Sequence, residues 1–276
     1  MLEQRMTMLI LSCDKYSDLW PGQIKLLDTN WPDREMKTYI VTDRESEQKF
    51  DSVGIIVAGA DLEWSERLAA ALSKVDTPYV FITLDDYYLT RRVSTDAISG
   101  LADLMEKESI DYIRMYPRPK RATRDKIKGY KKIRWFDVSS TYGVNLYPAV
   151  WKRDFLEYTL SKKLNAWQFE VSLTQSAVAY GAKGAVSANR EYRILDVVRK
   201  GKILHSANAY FKKHPGIYEG DRELQTWSFE IRLQIQMMIS RHTRGKLKQI
   251  IKSFMRKRGY KFYSDYTESE RSGEEK

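Results

Sequence analysis

Apolar runs and helical periods alternate through the first part of the chain. Met6–Ser12 (MTMLILS) reads as a buried strand. Trp20, Ile24, Leu27 and Trp31 recur at spacings of four, three and four, which predicts a helix over Ser17–Asn30 with Pro21 tolerated near its start. Thr38–Thr42 (TYIVT) and Gly54–Val57 (GIIV) read as the next strands. Leu68, Leu72 and Val75 share a face of a helix predicted over Asp61–Asp76, with Asp61 as its cap. Tyr79–Leu84 is a fourth strand, Ile98, Leu101 and Leu104 mark a helix over Ser94–Ser109, and Asp111–Tyr116 is a further strand. Near-continuous apolar strands alternating with helices predict an α/β fold, a mainly parallel central sheet with helices on both faces.

The second half is less regular. Tyr142–Leu146 reads as a strand, and Pro148 leads into a helix from Val150 to about Lys163. Asn165 and Gly181 bracket a helix over Ala166–Tyr180. Tyr192–Val198 reads as a strand before a turn at Lys200-Gly201, and Asp221–His242 as a helix. The expected organisation is a catalytic-type domain over 1–220, a basic amphipathic helical segment over 221–263 and a disordered polar tail over 264–276.

In parallel sheets ligands sit beyond the carboxyl ends of the strands. Ser12-Cys13-Asp14 follows the first strand, Asp43 the second, and Asp85-Asp86 the fourth. Adjacent carboxylates at the end of a buried strand are costly unless a cation or water reaches them. Each residue also has a plainer reading that the sequence leaves open. The acidic pair suits a solvated turn, Asp43 a turn, and Asp14 a helix cap. Arg67 suits a surface pair with Glu63 or Glu66, and Glu170 a first-turn acid favoured by the helix dipole.

Charge changes the picture of partners. Net charge is +10 and the sequence pI about 9.4, which favours anionic partners. Arg114–Arg134 holds ten Lys/Arg and one acid, and Ile231–Ser264 holds ten Lys/Arg and none. Leu247, Ile250, Ile251, Phe254 and Met255 line one face of the latter, a basic amphipathic pattern suited to an anionic membrane surface. Cys13 is the single cysteine, which excludes an intrachain disulfide and a Cys-rich zinc site and fits a reducing cytoplasm. No stretch approaches 18 apolar residues, the length of a membrane span. His205 and His214 are read as structural or exposed rather than as metal ligands.

The order of "SCDKY", "VTD" and "WSERLAAALSKVDTPYVFITLDDYYL", followed by "YGVNLYPAVWKRDFLEYTL" and "NAWQFE", resembles bacterial GT-A-fold glycosyltransferases of capsular polysaccharide and lipopolysaccharide biosynthesis over about Thr7–Val198. The resemblance implies a nucleotide-sugar donor, uridine diphosphate-linked, and a Mg2+ or Mn2+ ion. It implies donor contacts from Ser12, Cys13, Asp14, Asp43 and Arg67. It places Asp85 and Asp86 at the family's Asp-x-Asp motif, with Asp86 as metal ligand and Asp85 as support, although here the two acids are adjacent. It implies Glu170 as the base of an inverting transfer. Trp151 and Trp167 are candidates to stack on a saccharide or polyprenyl-diphosphate-linked acceptor. The expected location is cytoplasmic, peripheral on the inner face of the plasma membrane, with no nucleic acid bound. A non-catalytic saccharide-binding relative and a basic nucleic-acid-binding protein are the alternatives. A nucleotidyltransferase would usually place a Gly-rich loop after the first strand, where "SCDKYSDLW" has none.

Overall fold

The computed structural model describes residues 1–115, 123–130, 132–140, 143–187 and 192–242, together with residue 253. Thirteen strands are described: β1 (Met6–Leu11), β2 (Thr38–Thr42), β3 (Gly54–Val57), β4 (Tyr79–Leu84), β5 (Tyr87–Leu89), β6 (Tyr112–Arg114), β7 (Thr123–Lys126), β8 (Ile133–Phe136), β9 (Ala149–Lys152), β10 (Gly184–Ser187), β11 (Ile194–Asp196), β12 (Val198–Arg199) and β13 (Lys202–Ile203). The α-helices are α1 (Trp20–Asn30), α2 (Trp64–Leu72), α3 (Thr95–Glu108), α4 (Arg153–Thr159), α5 (Ala166–Tyr180), α6 (His205–Lys213) and α7 (Trp227–His242).

Nine strands form one sheet in the order β3-β2-β1-β4-β9-β6-β10-β8-β7. β1 is paired in parallel with β2 and β4, and β2 with β3. β9 and β8 run against their neighbours, and the other seven strands share one direction. This is the mainly parallel arrangement expected. Side-chain alternation along β1 explains helices on both faces. Met8 and Ile10 enter a core with Trp20 and Ile24 of α1 and Ile98 and Leu104 of α3. Leu9 and Leu11 enter the opposite core with Leu68 of α2, Phe155 of α4 and Phe169 of α5. A smaller third core joins Leu19, Tyr88, Val197, Ile203, Ala207 and Ile217 at the carboxyl edge of the sheet.

Several predicted elements are corrected. A 3-10 turn at Asp14–Leu19 precedes α1, so the helix proper starts at Trp20. Glu63, not Asp61, caps α2, and its N–H donates to Glu66 at 2.8 Å. Residues 143–148 are irregular rather than a strand. The strand is Ala149–Lys152, inserted antiparallel between β4 and β6, so the helix predicted from Val150 starts only at Arg153. α6 was not expected. The final helix starts at Trp227 rather than Asp221, because residues up to Gln225 pack onto the sheet domain: Gln225 is buried and donates to the Arg199 carbonyl at 3.0 Å. The amphipathic face at Leu247–Met255, the polar tail and part of the basic segment after Arg114 lie outside the described residues. Among the described residues no helix is long and apolar enough to cross a membrane.

Candidate functional site

The loops after β1, β2 and β4 meet, as a parallel sheet requires. Ser12 Oγ donates to Asp85 Oδ2 at 2.5 Å and accepts from the Trp20 indole at 2.7 Å. Asp43 Oδ1 accepts from the Asp14 N–H at 2.7 Å, and its Oδ2 stands 3.6 Å from Arg67 Nη1. Arg67 therefore turns inward to Asp43 rather than pairing along its own helix surface. Burial raises the Asp43 carboxyl, but the backbone hydrogen bonds and Arg67 outweigh it and hold the group below its ordinary value. Asp14 opens the 3-10 turn and contributes its N–H here. Cys13 sits half-buried between the two carboxylate loops, its thiol pushed up by burial and then by Asp85 and Asp43.

The acidic pair is the electrostatic centre. Asp85 is 9% exposed, and burial pushes its carboxyl up to about 7, opposed by the Ser12 hydrogen bond and Arg222. Asp86 is raised by burial, then by Asp85 and Asp196, with Arg199 opposing. Its Oδ1 is buried and makes no hydrogen bond.

Four residues that sequence reasoning missed complete the setting. The chain returns after residue 190 to pair β11 antiparallel with β5, placing Asp196 opposite Tyr87, and the Val197 N–H donates to the Asp86 carbonyl at 2.9 Å. Arg199 holds Asp196 Oδ2 through Nε at 2.9 Å and Nη2 at 2.6 Å. On the other side Arg222 grips Asp18 with contacts of 2.7 and 2.6 Å, donates to the Lys15 carbonyl at 2.6 Å and lies 4.6 Å from the Tyr16 ring centroid. Arg222 and Asp18 are 204 positions apart, so no local pattern marks the pair. Their segment crosses α1 at Gly22, where a Cβ would stand 1.8 Å from the Ile217 carbonyl oxygen. Arg222→Ala should lower unfolding free energy by about 2 kcal/mol, since charged hydrogen bonds to the loop after β1 are lost. Urea unfolding measures it, and an unchanged midpoint would show that the latch contributes nothing.

Glu170 reaches this cluster through a short chain of contacts. It accepts from the Leu146 N–H at 3.4 Å, and the adjacent Tyr147 stacks on Tyr87 with centroids 5.5 Å apart. Burial raises its carboxyl, opposed by the Leu146 N–H and Arg199. Glu170 lies beyond the first turn of α5, which carries no acid, so the helix dipole does not account for it. Trp167, on the first turn of the same helix, is 39% exposed. Trp151 is corrected: it is 0% exposed in β9, stacked on Phe155 at 5.6 Å and edge-on to Tyr112 at 4.7 Å, and no acceptor reaches it. The histidines are otherwise engaged, His205 with Glu230 at 2.8 Å and His214 stacked on Tyr210.

Beside Asp85 and Asp86 stand two further carboxylates, Asp18 and Asp196, and two guanidinium groups, Arg199 and Arg222, with Glu170 linked to the group through Arg199. Among the described residues no group of three or more His, Cys, Asp or Glu is arranged to hold a metal ion. A cavity of about 210 Å³ between α4 and α5, lined in part by Tyr158, Lys162, Ser172 and Gln175, shares no residue with this cluster.

Fold and site together define a mixed α/β protein with adjacent carboxylates, one buried and one half-buried, at the carboxyl edge of its sheet. No family model matches the chain, and no curated protein matches its sequence. Among solved structures, S. aureus TarS 1–349 in complex with UDP-GlcNAc is similar at 13% identity and a TM-score of 0.47 over 75% of this chain and 61% of that one. Bifunctional IspDF from Campylobacter jejuni is similar at 16% identity and a TM-score of 0.41, over 70% of this chain and 52% of that one. CMP:2-keto-3-deoxy-manno-octonic acid synthetase complexed with CTP is similar at 12% identity and a TM-score of 0.42, over 76% of this chain and 96% of that one. The chain thus spans 52% of IspDF and 61% of the TarS fragment.

Proposed function

We propose that this chain is a glycosyltransferase that takes a nucleotide-diphosphate sugar, uridine diphosphate-linked, at the carboxyl edge of β1, β2 and β4. One observation carries the reading: two adjacent carboxylates follow β4, Asp85 buried and Asp86 half-buried, with Asp18 and Asp196 as acidic neighbours, and Asp86 keeps a buried oxygen without a hydrogen bond. Such a site would suit a cation that arrives with an anion. Mg2+ is commonly held by one or two carboxylates together with phosphate oxygens, and the donor set here fits that pattern. Asp86 would hold the Mg2+ or Mn2+ ion, with Asp85 fixed behind it by Ser12. The ion would supply charge neutralisation of the diphosphate leaving group.

The chain's own groups divide the remaining work. Arg67 and Asp43 would orient the donor next to the Ser12–Asp14 loop. Glu170 would take the proton from the acceptor hydroxyl in a single, inverting displacement. Trp167 would offer an exposed ring to the acceptor sugar, a saccharide or lipid-linked saccharide of surface polysaccharide biosynthesis.

Binding is tested with a uridine diphosphate sugar and Mn2+. At a hundredfold excess over Kd the melting temperature should rise by about 5 °C. Because Cys13 is the only thiol and lies between the donor loops, the same ligand should slow its modification by a maleimide. A protein that shows neither shift nor protection, with uridine or other nucleotide sugars, removes the proposal.

A further inference from the structure

α7 leaves the fold with apolar side chains uncovered. Trp227 is 63%, Ile231 55% and Ile235 37% exposed. Spacings of four residues set these three along one side of the helix. From Trp227 to Ile235 no residue is buried, although Phe229 and Leu233 are apolar as well. A continuous exposed apolar stripe of this kind marks an interaction face.

The root of the helix is fixed beside the candidate site. Glu230 accepts from both the backbone N–H and Nδ1 of His205 at 2.8 Å, and Trp227 stacks on the His205 ring at 3.7 Å. Lys200 lies 5.6 Å from the Phe229 ring centroid. Lys200 follows Arg199 in the β12–β13 hairpin, and Arg199 holds Asp196 against the acidic pair. The exposed stripe therefore starts where the site does.

Charge selects the partner. The ten Lys/Arg and no acid of Ile231–Ser264 begin on this helix. Two copies of so basic a segment repel one another, which disfavours a second copy of the chain. A polyanion such as nucleic acid satisfies the cations but leaves the apolar stripe in water. An anionic bilayer satisfies both, with an apolar layer for the stripe and a negative surface potential for the cations. We propose that α7 lies on an anionic lipid bilayer with Trp227, Ile231 and Ile235 at the acyl boundary, so that the site opens at the membrane surface to a lipid-borne acceptor. The membrane contact stands on the stripe and the charge. The acceptor clause rests on the glycosyltransferase reading above.

The test is co-sedimentation of the full chain with vesicles of roughly one-third phosphatidylglycerol in phosphatidylcholine, and with phosphatidylcholine alone. Binding is expected to the anionic vesicles and to fall steeply at about 0.5 M salt, where surface charges are screened. The double substitution Ile231→Glu, Ile235→Glu should weaken it at least about tenfold, with an unchanged melting temperature because both side chains are exposed. A double variant that binds like the parent chain overturns the assignment of the stripe. A parent chain that ignores anionic vesicles overturns the membrane contact. A parent dimer in light scattering that the double variant abolishes overturns it in favour of self-association. Nucleotide-sugar thermal shifts run on the same two proteins separate the readings. Vesicle binding without any nucleotide response removes the acceptor clause and leaves the membrane contact standing.

Discussion

On the glycosyltransferase reading proposed above, Asp86→Asn should lower glycosyl transfer by on the order of 10²–10³-fold, the scale of removing one group that stabilises developing charge. The same substitution makes the ligand-free protein more heat-stable at neutral pH. Both effects follow from one geometry. Asp86 Oδ1 is buried without a hydrogen bond, and Asp85 and Asp196 add like charge. In the folded chain both acidic-pair carboxyls are raised from an ordinary 3.8, Asp85 to about 7 and Asp86 well above its ordinary value. The folded state therefore binds these protons more tightly than the unfolded state. The stability they contribute is complete below about pH 4 and is lost as pH rises through the folded values. Calorimetric melting temperatures of the ligand-free protein should fall between about pH 5 and 8. The fall should be shallower in Asp86→Asn and should be relieved by Mn2+ with a nucleotide diphosphate. Equal slopes in the parent and the variant would remove Asp86 from the centre of the site.

With Glu170 as the proposed base, Glu170→Gln should lower kcat by about 10²–10⁴-fold, the range of a general base, and leave donor affinity unchanged. Burial raises the Glu170 carboxyl, so the acidic limb of the kcat profile should lie above the ordinary carboxylate range, with activity rising as the group deprotonates. Arg199 opposes that shift. Arg199→Gln should move the limb to higher pH, and Arg199→Lys should restore it in part. A merely structural Arg199 would lower the melting temperature without moving the limb. A Glu170→Gln enzyme with parental kcat would assign the proton to another group.

β1, β2 and β4 were legible because their apolar runs are buried on both faces, and such runs survive any detail of packing; β3, at the sheet edge and only partly buried, was legible from its short β-branched run. Their order was not stated by the pattern, but parallel pairing was, and parallel pairing alone puts Ser12, Asp43 and Asp85 at one edge. The α5 helix was legible to the residue because Asn165 and Gly181 are local signals, and both act as predicted. β9 was not. Ala149, Val150 and Trp151 carry no period that separates strand from helix, and the slot between β4 and β6 decides between them. That slot also buries Trp151, which by its place near a helix start had suited a sugar platform.

The site divides in the same way. Sequence by itself determined the α/β class, the carboxylates at the strand ends and the basic excess, because strand ends, turns and net charge are local or additive properties. Tertiary structure alone decided that Arg67 turns to Asp43 and that Asp86 is flanked by Asp196 and Arg199. It also decided that Arg222 ties down the loop after β1 from 204 positions away, and that α7 presents its apolar side to the outside. Those pairings depend on long loops closing in one particular way. Chain closure over such distances is set by the summed packing of three cores rather than by any short-range pattern.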